Sequence, residues 1–493
     1  MPSLILSSDD PAAIDVDVVV VGLYKGENGP SLAPGAESLE AAWKDESLAE
    51  TFALMGATGD AESVTQLPSA GKATAKIVAG VGLGKKPRRG GAADAETLRR
   101  AAGAAARAAA GKDSLAFAIA ADGDALGLGA LLGAYQFAGY KTGKNSNGRQ
   151  PVGSIALTGA SADAARLESV VAGVSACRDW VNTAPNLLRP PAFADDVAKA
   201  ASAAGLDVEV LDENALADGG YGGILAVGSG SAAKPRLVRL SYRAEGAARH
   251  VALVGKGITF DTGGISIKPG QGMWDMKTDM AGAAAVAGAM LIVAAIKPKV
   301  DVTAYLPMAE NMVSSTAYRP GDVVTSYSGK TIEVINTDQE GRMVLCDALA
   351  RAAEDSPDVI YETSTLTGGQ VTALGKRIAG VMGDDAECER VKAAAERVGE
   401  KAWPMPMPEE IRKTFKSSVA DTLQGSANLE RSGHMLQGAI FLENFVPDDL
   451  PWAHIDIAGP ANHGGSPYGY IPKGATGTPV RTLVELVEEH AGS

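Results

Sequence analysis

Short β-branched runs separated by alanine-rich helical stretches recur along the chain, and this alternation restricts the fold more than any other feature. Val16–Val21, Ile77–Val81, Leu115–Ala120 and Ser154–Thr158 read as strands, with helices predicted over Asp94–Ala110 and Leu126–Tyr140 between them. Strands that alternate with helices pair in a mostly parallel sheet, because a parallel pair needs a crossover long enough to hold a helix. After a predicted helix at Asp163–Asp179, strands recur at Val208–Leu211, Gly223–Val227, Leu237–Tyr242, Val251–Val254, Val302–Leu306, Thr331–Ile335 and Val359–Tyr361. Helices are predicted among them at Ala281–Ile296 and Met343–Asp355. At 493 residues the chain exceeds a single core. The expectation is therefore an α/β protein of two domains: a smaller N-terminal α/β domain over 1–160 and a larger α/β domain with a mixed central sheet over 191–493. A connecting helix and linker lie between them at 161–190, where Pro185, Pro190 and Pro191 punctuate the chain.

Composition narrows the class. A formal net charge of −14 disfavours nucleic acid, which needs clustered Lys and Arg to neutralise phosphates. The basic stretches at Lys85–Arg89 and Arg99–Arg100 read as a loop and a helix face. Cys177, Cys346 and Cys388 show no short pairing, which excludes a disulfide framework and cysteine-based zinc spacing and suits a reducing cytosol. The N-terminus has no basic segment followed by an apolar core, so no signal peptide is read there. The longest apolar run, Ala281–Ile296, falls short of the ~18–20 residues of a membrane span. A cytoplasmic protein without membrane association is expected. Gly80-Val81-Gly82-Leu83-Gly84 lacks the third glycine of a dinucleotide loop, since Lys85 stands there, and reads as a tight strand-to-loop turn.

Three segments carry chemistry. The strand ending at Val254-Gly255 runs into a loop with Lys256, Asp261 and Lys268 separated by glycines, at the strand end where open α/β sheets place their ligands. Trp274–Met280 opens the alanine-rich helix; Asp279 is placed to cap that helix, or to stand rigidly at the edge of a crevice. Small residues along Ala281–Gly288 would let the helix approach the sheet. A further strand ends in Asn336-Thr337-Asp338-Gln339-Glu340-Gly341-Arg342, whose Asp338, Glu340 and Arg342 would line one face of an extended segment. Like charges crowded on one face need a cation or a proton. Oxygen ligands of this kind suit Mg or Mn, and zinc accepts them too. A solvated acidic turn is the alternative, and spacing alone says nothing of peptides.

These segments closely resemble the leucyl (cytosol) aminopeptidases. The similarity extends through Arg178–Thr183, Thr365-Leu366-Thr367-Gly368, Trp452–Gly459 and Pro472–Gly477, and covers roughly residues 175–490. The resemblance implies a metal-dependent aminopeptidase with two divalent ions, Mn or Zn, held by Lys256, Asp261, Asp279, Asp338 and Glu340. Asp261 and Glu340 would bridge the ions, and Lys256 would ligate as the neutral amine. It further implies attack by a metal-bridging hydroxide on the scissile carbonyl, with Lys268 stabilising the oxyanion and Arg342 holding a bicarbonate ion as general base. Met276, Asn336 and Leu366 would belong to the substrate pocket, the substrates would be peptides with leucine-like or other apolar N-termini, and the assembly would be a homohexamer. One departure stands out. The family usually has alanine where this chain has Gln339, which alternation would turn away from the ligands. Two other readings stay open: a metal-bound scaffold or DNA-associated regulator without turnover, and a two-metal hydrolase of another substrate such as a phosphoester.

Overall fold

The computed structural model describes residues 2–44, 46–87, 93–142, 148–429 and 432–492. The chain forms two compact α/β units. The first comprises Met1–Val171 with the later segment Gly464–Lys473, and the second comprises Ala172–His463 with Gly474–Ser493. The division falls inside one helix, Ala164–Asn182.

The first unit holds seven strands: β1 (Ser3–Ser7), β2 (Val18–Lys25), β3 (Ser31–Leu32), β4 (Val64–Pro68), β5 (Ile77–Lys85), β6 (Ser114–Ala118) and β7 (Ser154–Thr158). Their order is β1-β7-β6-β2-β5-β4, with β3 on β2. The pairs from β1 through β5 are parallel, and β4 is antiparallel to β5. Val18–Val21 is buried on both faces, as the unbroken apolar run of a central parallel strand requires. The glycines read as a turn lie instead inside β5. A Cβ at Gly82 would come within 1.8 Å of the Asp60 carbonyl oxygen, and one at Gly80 within 2.5 Å of Leu23 Cδ1. Close packing, not chain reversal, accounts for both. The Gly123–Gly133 helix stops before the predicted Tyr140. Arg99 and Arg100 pair with Glu96 and Glu62, which uses up the basic helix face, while Arg88 and Arg89 lie outside the described residues.

The second unit is built on a nine-stranded mixed sheet. Its strands are β8 (Asp207–Leu211), β9 (Arg236–Tyr242), β10 (His250–Gly255), β11 (Gly257–Asp261) and β12 (Asp301–Asn311). After the small-sheet strands β13 (Val323–Thr325) and β14 (Thr331–Glu333) come β15 (Val359–Ser364), β16 (Ala379–Gly383) and β17 (Ala402–Pro404). Another small-sheet strand, β18 (Thr422–Leu423), precedes β19 (Trp452–Asp456). The order is β17-β16-β19-β15-β10-β12-β9-β8, with β11 on β12. β12, β10, β15 and β19 run parallel, so their carboxyl ends share one edge of the sheet. Gly223–Val227, expected as a strand, lies in a helix, Gly222–Gly228. A short apolar run fits either state. Here the buried Asp347 carboxylate accepts the Ile224 N–H at 2.9 Å and supplies a tertiary cap that the local sequence does not reveal.

The Ala281–Ile296 helix is buried almost throughout and lies against the sheet. Glycine permits the approach: a Cβ at Gly282 would sit 2.2 Å from the Thr363 carbonyl oxygen, and one at Gly255 2.7 Å from the Gly282 carbonyl oxygen. Together with the preceding 3-10 turn this run, Met273–Ile296, is the one helix among the described residues long and apolar enough to cross a membrane, and 83% of its most apolar window is buried in the domain.

Candidate active site

The shared carboxyl edge brings together residues far apart in sequence. Lys256 leaves β10, Asp261 ends β11, Asp279 closes the 3-10 turn before the apolar helix, and Glu340 opens the Glu340–Glu354 helix. One carboxylate oxygen from each of Asp261, Asp338 and Glu340 lies within 4.8 Å of the others. The Lys256 ammonium bridges Asp279 and Glu340, at 2.8 Å from each. The Lys268 ammonium bridges Asp261 at 2.7 Å and Asp338 at 2.5 Å. All five residues expected to hold metal therefore form one cluster, with Lys268 at its more exposed side.

Two local expectations fail although the residues converge. The 338–342 segment is not extended: Asp338 stands in a turn, held by its N–H to the Asn336 Oδ1 at 2.9 Å, and Glu340 and Arg342 belong to the following helix. Asp279 does not cap the apolar helix. The capping position is Met280 and makes no side-chain bond. The Asp279 carboxylate turns instead to Lys256 and to the Thr365 hydroxyl, which donates to it at 2.7 Å. Gln339 occupies the N-cap position of this helix without a side-chain capping bond, and its amide lies against Gly425.

A second set of residues holds the carboxylate loops in register. Asn311, at the end of β12, donates from Nδ2 to Asp261 at 2.8 Å and to the Thr337 carbonyl at 2.9 Å. The Thr337 hydroxyl donates to the Gly263 carbonyl at 2.6 Å and accepts the Ser266 N–H at 2.8 Å. The Tyr318 hydroxyl donates to the Thr337 carbonyl at 2.9 Å. These groups join the loop after β11 to the turn before the Glu340 helix. Sequence reasoning missed Asn311 and Tyr318, whose positions at a strand end and in a loop carry no local signal.

The electrostatics show what the cluster lacks. Four carboxylates face two ammonium groups, which leaves negative charge in excess in a buried place. Burial, then the Glu340 charge, pushes Asp261 up to about 7. Burial likewise raises Asp279 and Asp338. Glu340 is lowered, since Lys256 and Lys268 outweigh its burial. Burial disfavours the charged Lys256 amine, yet Asp279, Glu340 and Asp261 more than reverse it. Buried carboxylates crowded beside one another, three of them held above their ordinary range, are the donor set that a divalent cation satisfies, so these residues fit a metal centre.

Arg342 is buried behind the cluster. It donates from Nη1 to the Gln424 carbonyl at 2.9 Å, stacks 5.7 Å from the Phe441 ring centre, and leaves Nε without a hydrogen-bond partner among the described residues. Burial lowers it to about 10. A cavity of about 790 Å³ opens beside Lys268, Asn336, Asp338 and Gln339, with Met405 and Met435 on its apolar side. Of the expected pocket residues Asn336 lines this cavity. Leu366 packs on the hydrophobic core and Met276 is half-buried in the 3-10 turn, and neither is among the cavity's lining residues.

Comparison with known proteins agrees over nearly the whole chain. Residues 175–484 match the catalytic domain of the cytosol aminopeptidase family, and residues 20–144 match the N-terminal domain of the same family. A Streptomyces avermitilis protein named "Probable cytosol aminopeptidase" is 49% identical over 99% of this chain and 98% of its own length. A Rhodococcus opacus protein of the same name is 48% identical over 97% of this chain and 95% of its own. Among solved structures, the bottromycin maturation enzyme BotP in complex with Mn superposes with a TM-score of 0.84 at 35% identity, over 97% of this chain and 100% of BotP. A tomato leucine aminopeptidase variant gives 0.86 at 30% identity, over 99% and 97%. Both domains, their order and the identity over full length lead to one conclusion: the chain belongs to the cytosol aminopeptidase family.

Proposed function

We propose that this chain, a metal-dependent aminopeptidase by family, releases leucine-like or other apolar N-terminal residues from peptides. Two divalent ions, Mn or Zn, would be held by Lys256, Asp261, Asp279, Asp338 and Glu340. The observation that carries the reading is the meeting of Asp261, Asp338 and Glu340 within 4.8 Å beside the Lys256–Asp279 pair. When bound, the ions would supply Lewis acidity and an activated bridging water, as two-metal hydrolases require.

The chain's own groups divide the remaining work. Lys268 stands at the cavity between Asp261 and Asp338 and is raised by those carboxylates against its burial, so it stays cationic and can stabilise negative charge developing on the carbonyl oxygen. Arg342 stays cationic too, and its unpartnered buried Nε supports a small anion there, bicarbonate, as the proton acceptor. The Met405 and Met435 side of the cavity supports an apolar preference. Asn336 borders the cavity and would face the substrate, while Met276 and Leu366 would shape the pocket from its edges. A homohexamer in the cytoplasm is proposed on the family resemblance alone.

The test is release of leucine from a chromogenic leucine amide with added Mn. Lys268→Ala should lower kcat by ~10²–10³-fold, the effect typical of losing one oxyanion donor. N-acetylation of a peptide should abolish its cleavage, because the free amine anchors the substrate. Wild-type turnover no higher than that of Lys268→Ala, or equal cleavage of acetylated and free peptides, would rule the reading out.

A further inference from the structure

Behind the cluster runs a row of buried ionisable side chains to which the catalytic reading gives no part. β15 and β19 are neighbours in register, with Glu362 opposite His454 and Ser364 opposite Asp456. Residues two apart on a strand share a face, so Glu362, His454 and Asp456 stand together on one side of the sheet. All three are wholly buried, and His454 Nδ1 bonds to the Glu362 carboxylate. Apolar side chains of similar size would fill such a place with less desolvation cost, so their presence asks for a reason beyond packing.

The bonds of Asp456 indicate one. Its Oδ2 accepts the Thr367 hydroxyl at 2.7 Å, and its Oδ1 accepts the Leu366 N–H at 3.2 Å and the Ala458 N–H at 3.1 Å. Thr367 in turn accepts the Gln370 N–H and caps the Gly368–Leu374 helix. Two residues back from Thr367, Thr365 grips the metal cluster from the other side. Its hydroxyl donates to the Asp279 carboxylate at 2.7 Å, and its carbonyl accepts from the Lys256 ammonium at 3.1 Å. One peptide unit separates the grip of Asp456 on this loop from the grip of the loop on Lys256 and Asp279. No comparable bond joins Asp456 to Asp261, Asp338 or Glu340 among the described residues, whose loops are tied by Asn311 and Thr337.

We propose that Asp456 is a positioning residue for one end of the metal centre: by fixing the 365–367 loop it sets Lys256 and Asp279, and with them the ion these two would hold. The inference rests on the two-metal reading above. The Glu362–His454 pair stands beside Asp456 on the same face of the sheet, and the Asp261 end is tied by Asn311 and Thr337. Each end thus has its own set of loop contacts, with the Lys256–Glu340 ion pair joining the two. Outer-shell partners of this kind typically change metal affinity or activity ~10–100-fold.

The experiment is calorimetric titration of the metal-stripped full-length protein with Mn²⁺, with folding checked by circular dichroism. Wild type should bind two ions, and Asp456→Leu should weaken one binding event ~10–100-fold while leaving the other within about threefold. Asp456→Asn keeps an oxygen acceptor for the two N–H groups, and the Thr367 hydroxyl can reverse to accept from the new amide, so both events should return to within about threefold of wild type. Should Asp456→Leu not fold, Thr367→Val removes a single hydroxyl and should weaken the same event about five-fold. Two unaltered affinities in a folded Leu or Val variant, equal weakening of both events, or an Asn variant as poor as Leu would each overturn the proposal. A wild type that binds fewer than two ions would overturn the two-metal reading and this inference together.

Discussion

Lys256 reaches its place through a gap that only a missing side chain provides. Gly341 is the second residue of the Glu340–Glu354 helix, and a Cβ there would stand 2.5 Å from Lys256 Cε, 2.7 Å from Nζ and 2.9 Å from Cδ. Carbon atoms rest at ~3.5–4.0 Å, so Gly341→Ala must move the lysine tip by about 1 Å. The tip has nowhere free to go, since Lys256 is 2% exposed and held by both Asp279 and Glu340. Overpacking costs ~1–3 kcal/mol, and alanine returns up to ~1 kcal/mol through its better helix propensity. The net loss of ~0–2 kcal/mol corresponds to a Tm lower by a few degrees, at roughly 2–4 °C per kcal/mol for a domain this large. Activity should suffer far more, because a misplacement of ~1 Å at a catalytic group costs on the order of 100-fold. The assay is kcat/KM on a chromogenic leucine amide with Mn, read beside thermal unfolding of the same preparation. A Gly341→Ala protein with kcat/KM within about threefold of wild type would show that the amine does not need its present position, and the reasoning would fall.

Two further outcomes follow from the same geometry. Without metal, the folded chain holds a proton on Asp261 up to about pH 7, whereas the unfolded chain releases it near the ordinary 3.8. A raised folded value makes this group's contribution fall as pH rises through that window. Ion binding needs the bare carboxylate, so the gain in Tm on adding Mn to metal-stripped protein should be larger at about pH 7.5 than at about pH 5.5; equal gains would contradict the assignment. Thr337→Val removes one donor and one acceptor from the link between the 261–266 loop and the Glu340 helix and strands the buried Gly263 carbonyl and the half-buried Ser266 N–H. Urea unfolding should show a loss of ~2–4 kcal/mol, and a loss below about 0.5 kcal/mol would mean that water replaces the hydroxyl without cost.

Much of this site can be read from the chain before folding, and the reasons are local. Lys256, Asp261 and Lys268 follow an apolar strand and are spaced by glycine, a pattern with few other uses in an α/β sheet. The conformations of the other ligands are less legible. Asp338, Glu340 and Arg342 alternate like residues of a strand, yet a helix begins at Glu340, because the Asn336 side chain turns the backbone just before it. Asp279 has the sequence position of a helix cap but is drawn off by Lys256 and Thr365, partners that lie 23 and 86 residues away. Gly222–Gly228 fails as a strand for a similar reason, since its cap comes from Asp347 across the fold. In each case a side-chain hydrogen bond, local from Asn336 and long-range from Lys256, Thr365 and Asp347, overrode a preference worth at most ~1 kcal/mol. The glycines of β5 were misread because what they make room for, Asp60 and Leu23, sits on other segments.

The buried apolar helix bears on how such a chain can be made. Met273–Ile296 has a mean hydropathy of 2.0 over its most apolar stretch, enough for a bilayer to accept it. Of the central strands it packs on, β10 precedes it in the chain, whereas β12 and β15 follow it. During synthesis this oily segment therefore leaves the ribosome before most of its shelter exists. At the ~5–20 residues per second of translation, it waits several seconds for the strands that will hide it. Over that interval the nascent chain carries an apolar surface that the finished domain never exposes.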